Sequence, residues 1–167
     1  MPETYEPIST QTLGTATAAI SFTSIPQTYT DLFLVSNLGL ATVDQSTFIT
    51  FNDDTASNYS VTWLYANTSP ASSRSSSRAN IYLNANVGAS TAVETTTIVN
   101  VQNYSNATTY KTTLGRANRS SSSGSYEGVE TIVGLWRSTS AITKITITGQ
   151  SNLIVGYTFT LYGIKAA

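Results

Sequence analysis

The amino-acid sequence predicts one all-β domain, a single-domain antiparallel β-sandwich of jelly-roll-like arrangement. The first observation is composition: nearly a third of the 167 residues are serine or threonine and ten are tyrosine, which favours strands and turns over helices. The second is periodicity, because short alternating runs of apolar and polar residues recur between turn residues, and no window has the period of an amphipathic helix. The third is length, which suits one domain with one core.

The chain divides into an extended N-terminal arm, residues 1–14, and a β-sandwich domain, residues 15–167. The arm carries two prolines and two glutamates without regular apolar spacing, so we expect it to fray or to dock on a neighbouring surface. In the first half of the domain, alternation predicts strands over residues 18–22, 31–35, 46–51, 61–65 and 81–83. The strand at 31–35 is almost continuously apolar, which predicts burial of both its faces.

The second half of the sequence shows the same alternation of apolar and polar residues, in longer runs. It predicts strands over residues 93–101, 110–114, 131–136, 142–148 and 158–164. In the first of these, Val93, Val99 and Val101 share one face, as in a half-buried strand. About nine or ten short strands with Gly- and Ser-rich turns predict a sandwich or barrel, and two packed sheets suit the length best.

Two serine-rich segments, residues 69–78 and 116–125, contain four of the five arginines. Their composition favours a pair of flexible, solvated loops. The alternative is that they are contact loops, in which arginine side chains grip carboxylates or backbone carbonyls of another subunit.

Missing residue types exclude much of enzyme chemistry. The chain has no histidine and no cysteine, so neither a Ser-His-Asp nor a Cys-His arrangement can form. Zinc sites usually need imidazole or thiolate, and disulfides are impossible. A net charge of -1 argues against a nucleic-acid partner. No apolar run approaches the roughly 20 residues of a membrane-spanning helix, so no membrane partner is expected.

Two groups of acidic residues invite a chemical interpretation. Asn52, Asp53, Asp54 and Asn58 offer oxygen ligands to calcium, but a β-turn in which these side chains bond their own backbone is the favoured interpretation. Glutamates 127 and 130 are spaced as one conceivable glycosidase pair. Their separation in sequence does not bring two carboxylates across a cleft, and we expect no catalytic site.

The aromatic side chains allow two interpretations. They are Trp63, Trp136, Tyr59, Tyr65, Tyr82 and Tyr126. Core packing is favoured for the two tryptophans, because aromatic rings supply the largest apolar area in a core. The alternative is an exposed platform on which sugar rings stack.

Several segments resemble small β-sandwich virion structural proteins of tailed bacteriophages, including cyanophages, of the capsid decoration or cement type. They are residues 5–14 and 20–32 at the start, 51–60 and 64–67 in the middle, and 159–165 (FTLYGIK) at the end. Together they cover about a quarter of the chain, and residues 68–150 carry no motif of that family.

This resemblance implies a noncatalytic protein without cofactor or metal. Its location would be the virion surface, most specifically the head, where it would bind the major capsid protein and stabilise contacts between capsomers. Proteins of this type often assemble as trimers, so a homotrimer is expected. The alternative is a tail-fibre or receptor-binding module that recognises host surface polysaccharide. A free-standing glycan-binding protein of cellular origin is a third class.

Charge suggests which residues contact partners. The arm carries Glu3 and Glu6, whereas the serine-rich segments carry Arg74, Arg78, Arg116 and Arg119. Because the two sets have opposite charge, neighbouring subunits could pair the arm of one with the serine-rich segments of the next.

Overall fold

β-Strands account for all the regular secondary structure of the residues described. The computed structural model describes residues 4–42, 45–66, 69–91, 94–119 and 128–165. The strands within these ranges are β1 (Tyr5–Thr12), β2 (Thr17–Phe22), β3 (Asp31–Leu38), β4 (Gln45–Phe51), β5 (Tyr59–Ala66), β6 (Pro70–Arg78), β7 (Ile81–Ala89), β8 (Thr95–Gln102), β9 (Lys111–Arg119), β10 (Gly128–Trp136), β11 (Ile145–Leu153) and β12 (Thr158–Ile164).

The strands form two antiparallel sheets that pack as a sandwich. The larger sheet has the order β1-β12-β3-β8-β9-β10-β5-β6 and the smaller sheet β2-β11-β4-β7. The predicted all-β sandwich is therefore confirmed. In the orders β1-β12-β3-β8 and β2-β11-β4-β7, strands from the first part of the chain alternate with strands from later in the chain. Greek-key connections produce this alternation. Strands β9, β10, β5 and β6 then widen the larger sheet on one side.

Alternating burial places one face of each sheet in the core. In β3, Leu32, Leu34 and Leu38 are fully buried, whereas Phe33 and Val35 on the other face are half-buried. The prediction that this strand is buried on both faces is thus wrong for its second face. The outer face of the larger sheet is not covered by the smaller one, because a two-sheet sandwich covers only one face of each sheet.

An aromatic cluster fills the core where β4, β5 and β10 meet. The rings of Tyr59 and Trp136 stack with centroids 6.2 Å apart, and Phe51 lies 5.5 Å from Trp136. All three side chains are at most 2% exposed. Nearby, Gly134 has no side chain where Ile81 of β7 approaches, so the smaller sheet packs closely against β10.

Two strands lie where the sequence predicted none. Residues Tyr5–Thr12, assigned to the arm, are extended and pair with β12 as the edge strand β1. The serine-rich segment 69–78, predicted as a loop, contains β6, which pairs with β5 at the opposite edge. That loop prediction is wrong. An edge strand needs only backbone hydrogen bonds to one neighbour, so β6 forms without an apolar pattern.

The Asp54 carboxylate holds the connection from the smaller sheet to the larger one, between β4 and β5. Its Oδ2 accepts hydrogen bonds from Trp136 Nε1 at 2.7 Å and Asn58 Nδ2 at 2.9 Å, and its Oδ1 accepts from the Ala56 N–H at 2.9 Å. Burial alone would raise the pKa of Asp54, but these three donors outweigh it and lower the pKa below its usual value. This carboxylate is engaged as the turn interpretation predicts.

The preceding residues serve the same connection. Asn52 Oδ1 accepts from the backbone N–H groups of Thr143 at 2.9 Å and Lys144 at 3.1 Å. Asp53 forms an exposed ion pair with Lys144 at 2.7 Å. Asn52 and Asp53 both have positive φ, at 51° and 58°, a conformation that Asn and Asp tolerate better than most residues. The side chains of Asn52 and Asp53 therefore tie this turn to the segment before β11 rather than to their own backbone.

We expect Asp54→Ala to lower the free energy of unfolding by about 2 kcal/mol, because it leaves the buried Trp136 N–H without its charged acceptor. The pKa of Asp54 is lowered in the fold, so this stabilisation is present above the ordinary value of 3.8 and is lost as pH falls below it. The difference from wild type should therefore persist near neutrality and shrink in acid. Chemical denaturation at several pH values measures it.

Asp53→Ala is the matched control. The Asp53 side chain is 67% exposed in its ion pair, so its removal should cost less than about 1 kcal/mol. Equal losses for the two variants would contradict a structural role specific to Asp54.

Candidate binding surface

The outer face of the larger sheet carries an apolar patch at its centre. The strand register places Phe33, Asn100, Leu114, Val133 and Thr62 in one row across β3, β8, β9, β10 and β5. The adjacent row on the same face contains Val35, Ile98, Arg116, Thr131 and Leu64. We call the six apolar side chains of these rows the outer patch: Phe33, Val35, Ile98, Leu64, Leu114 and Val133. It spans four inter-strand spacings, about 19 Å.

The outer patch is open to solvent in the chain as it stands. Leu64, Leu114 and Val133 are 56%, 48% and 46% exposed. Among the described residues, seven large hydrophobic side chains are exposed, and five lie on this face: Tyr5, Leu64, Leu114, Val129 and Val133. Such clustering is what distinguishes an interaction surface from scattered exposed hydrophobic residues.

The outer face of the smaller sheet is different. There Thr146 lies opposite Ser21 and Thr50, and the Ser21 and Thr146 hydroxyls are 2.9 Å apart. Hydroxyl pairs also cover the β1–β12 side of the larger sheet, where Thr10 meets Thr160. Among the described residues, the exposed large hydrophobic side chains are therefore concentrated on the outer face of the larger sheet, although Tyr110 and Val155 lie elsewhere.

A shallow depression of about 500 Å³ lies within the outer patch. It is lined by Phe33, Ile98, Asn100, Leu114, Arg116 and Thr131, among others. The depression exists because Asn100 and Thr131 are shorter than their neighbours: Asn100 lies opposite Phe33 on one side and Leu114 on the other. Its size is within the range of small-ligand or side-chain pockets.

Two polar groups of the depression, the Asn100 amide oxygen and the Arg116 guanidinium, have no partner within the described part of the chain, whereas Gln102 Oε1 accepts a hydrogen bond from Thr112 Oγ1 at 2.9 Å. Asn100 Oδ1 is buried and accepts no hydrogen bond there. Arg116 is exposed, and no described residue hydrogen-bonds to its guanidinium or forms an ion pair with it. The two rows contain no Asp or Glu. The depression thus combines apolar walls with one cation, the amides of Asn100 and Gln102, and the Thr131 hydroxyl.

The other predicted partner-binding residues are mostly engaged inside the chain. Glu6 accepts from the Tyr29 hydroxyl at 3.1 Å and pairs with Lys165 at 2.5 Å, and the Lys165 ammonium lowers the pKa of Glu6. Glu3 lies outside the described residues. At Glu6 the arm therefore carries an ion pair within the chain.

The four arginines divide into two pairs. Arg78 is half-buried, stacks over the Tyr82 ring at 4.0 Å and donates to Asn80 Oδ1 at 2.8 Å. Arg119 is 5% exposed and donates to the Gly88 carbonyl. Arg74 and Arg116 are exposed on the outer face, and both lie in strands rather than loops. The remainder of the second serine-rich segment, residues 120–125, lies outside the described residues.

Glu130 has a structural environment rather than a catalytic one. It is 3% exposed, and its carboxylate accepts from the backbone N–H groups of Ala85 at 2.7 Å, Asn86 at 3.0 Å and Val87 at 3.4 Å. Burial raises the pKa of Glu130, and the three N–H groups offset this only in part. Glu127 lies outside the described residues. Glu130 therefore ties β7 to β10 across the sandwich.

The aromatic residues separate into a core group and a surface group. Trp136 and Tyr59 are buried, and burial raises the pKa of Tyr59 to about 12. Trp63 is half-buried and meets the Tyr82 ring edge-on at 5.4 Å, and its buried Nε1 has no acceptor among the described residues. Tyr65 is half-buried, and Tyr126 lies outside the described residues. Core packing explains Trp136 but not all of Trp63.

Comparison with models of protein families, with curated proteins and with solved structures finds no match. The described residues contain no group of three or more Asp or Glu placed to hold a metal ion. Nor do they contain a helix long and apolar enough to cross a membrane.

We expect Glu130→Gln to destabilise the fold by about 1–3 kcal/mol at neutral pH, because the new amide N–H faces a backbone N–H. The pKa of Glu130 is raised in the fold, so its stabilising contribution is fullest below the ordinary value of 4.5 and declines as pH rises through the raised folded pKa. The advantage of wild type over the variant should therefore be greater at pH values near the ordinary pKa than in mild alkali. Denaturation in urea at both pH values tests this.

Glu94→Gln is the control, because Glu94 is exposed and accepts a hydrogen bond from Asn37 Nδ2 at 2.5 Å instead of from buried backbone N–H groups. A wild-type advantage over Glu130→Gln that grows with pH would mean that the pKa is lowered in the fold, and would overturn this account of the buried carboxylate.

Proposed function

We propose that the protein is a noncatalytic phage virion structural protein, a capsid decoration or cement protein. It binds the major capsid protein of the head shell and stabilises contacts between capsomers. In this proposal it acts as a homotrimer on the outside of the head. The observation that carries the proposal is the outer patch: a solvent-exposed apolar surface on a rigid sheet, with no covering element among the described residues.

The apolar side chains of the outer patch contribute burial free energy only when another surface covers them. Full burial of a single Leu or Val side chain contributes about 1.5–3 kcal/mol. Leu64, Leu114 and Val133 stand on adjacent strands with about half of their surface still accessible. A flat apolar patch with a polar surround suits docking on a protein shell, because it buries a broad area without requiring the partner to enter a deep cleft.

Composition and sequence resemblance support the same function. The charged fraction is 10%, so hydroxyl side chains provide most of the polar surface. The segments at both ends of the chain that resemble phage virion proteins include β1 and β12, which are adjacent in the larger sheet. The resemblance therefore extends to one edge of the sheet that carries the outer patch.

A second candidate function is a tail-fibre or receptor-binding module for host polysaccharide. The observation in its favour is the pair Trp63 and Tyr82, both half-buried, with the indole N–H lacking an acceptor. Sugar rings stack on aromatic faces, but the Trp63 indole N–H is buried and would have to be uncovered before it could donate to a sugar. Against it, the two rings meet edge to face rather than forming one flat platform, and Arg78 covers one face of Tyr82.

Copy number distinguishes the two candidates. On purified particles of the phage that encodes this chain, gel densitometry should give many copies per head, comparable with the major capsid protein. A tail-fibre module would be present in few copies and would remain with tails after heads and tails are separated. Absence from purified particles would reject both.

We expect the double variant Leu114→Gln, Val133→Gln to bind heads that lack the protein at least tenfold more weakly than wild type, since it removes two apolar contacts from the centre of the interface. Its unfolding free energy should be nearly unchanged, because both side chains are exposed. A sedimentation assay with purified heads gives the affinity.

The matched control is Val155→Gln. Val155 is 59% exposed but lies between β11 and β12, outside the outer patch. It should bind like wild type. If the control and the double variant lose affinity equally, or if neither does, the outer patch is not the docking surface.

A further inference from the structure

The depression in the outer patch has the chemistry of a specific anchor. It offers three kinds of group in one place: apolar walls from Phe33 and Leu114, the exposed guanidinium of Arg116, and the amide of Asn100. Nonspecific hydrophobic docking would require only the apolar walls. The guanidinium and the amide restrict which chemical groups of a partner can bind in the depression.

We propose that this depression binds an acidic side chain, Asp or Glu, carried on an extended apolar segment of a different protein. The inference rests on the proposed function in that the segment would belong to the capsid shell. The guanidinium of Arg116 pairs with the carboxylate, and the amide of Asn100 hydrogen-bonds to the peptide backbone beside it.

The positive charge of Arg116 favours a carboxylate as the bound group. An arginine fork matches a carboxylate with two parallel hydrogen bonds. Arg116 has no acidic neighbour in either row, since its cross-strand partners are Ile98 and Thr131. The apolar surround strengthens such a pair once the interface excludes water.

The unsatisfied amide oxygen of Asn100 favours a peptide backbone as its hydrogen-bond partner. Its Oδ1 is buried without a donor, a state that costs about 1–3 kcal/mol in a folded protein. A side-chain amide presents one acceptor and two donors, so by turning it can accept a backbone N–H and donate to the adjacent carbonyl. An extended segment laid on a sheet face exposes both groups.

Electrostatic repulsion disfavours the outer patch of a second copy of this chain as the occupant. Two outer patches placed face to face bring two copies of Arg116 into the same apolar interface, and the two rows supply no Asp or Glu to pair with them. Like charges in a desolvated interface cost several kcal/mol. This repulsion excludes contact between two outer patches, and we assign the occupant to a different protein.

The first test needs no phage component. The intact, isotopically labelled protein is titrated with the blocked peptide acetyl-Leu-Glu-Leu-amide and, in parallel, with acetyl-Leu-Gln-Leu-amide, and NMR shifts are followed. We expect saturable shifts at Asn100, Leu114 and Arg116 with the glutamate peptide and at least about tenfold weaker binding of the glutamine peptide. The preference should decrease with added salt.

Arg116→Gln should abolish the preference for glutamate, whereas Arg74→Gln should keep it. Arg74 is exposed on the same face but lies on the edge strand β6, opposite Thr62, outside the depression. Both substitutions are at exposed positions, and unchanged melting curves confirm the fold. Equal binding of the two peptides, shifts elsewhere on the molecule, or no saturable shift would each overturn the proposal.

The second test separates this inference from the proposed function. On heads that lack the protein, Arg116→Gln should lower affinity about tenfold or more, and Arg74→Gln less than about twofold. If wild type binds heads but Arg116→Gln binds equally well, the anchor is wrong and the function stands. If the peptide preference is found but the protein is absent from particles, the function is wrong and the anchor stands.

Discussion

Every strand of a two-sheet sandwich has two faces, and only one of them can be turned to the core. This constraint decides where the chain is stable by itself and where it needs a partner. In the smaller sheet the second face carries the hydroxyl groups of Ser21, Thr50 and Thr146, together with the half-buried aromatic pair Phe48 and Tyr82. In the larger sheet the second face carries Leu64, Leu114 and Val133 with about half their surface accessible. These side chains contribute little to the isolated fold, which is why we assign them to binding.

The few charged side chains sharpen this division. Asp54 and Glu130 accept hydrogen bonds that join the two sheets. Lys111 is fully buried, donates to the Thr109 and Thr139 carbonyls, and has its pKa lowered by that burial. Glu6, Asp53, Arg78 and Arg119 also have partners within the chain. Against this background, an exposed Arg116 amid apolar neighbours is an exception that a partner's carboxylate explains. The charge distribution and the exposed hydrophobic side chains therefore both indicate the outer patch as the binding surface.

Much of the fold is predictable from sequence, because ten strands carry enough apolar alternation to be located. β6 is not, since its serines have no apolar pattern and its pairing with β5 uses only backbone groups. The outer patch is also hidden in the sequence. In β9 the inward positions include Lys111, Thr113 and Gly115, while the outward positions include Leu114. Hydrophobicity alone therefore assigns the faces of this strand the wrong way round. Composition singled out Arg116 together with three other arginines. Only the strand register shows that it stands among apolar side chains.

The most direct test of the central claim is a cryo-microscopy reconstruction of heads carrying the protein, at a resolution that separates strands. The outer face of the eight-stranded sheet should lie against the shell, with Leu114 and Val133 covered and an Asp or Glu of the capsid protein at Arg116. The hydroxyl-rich outer face of the four-stranded sheet should remain open to solvent. A map in which the eight-stranded sheet faces outward, with Leu114 and Val133 uncovered, would contradict the account.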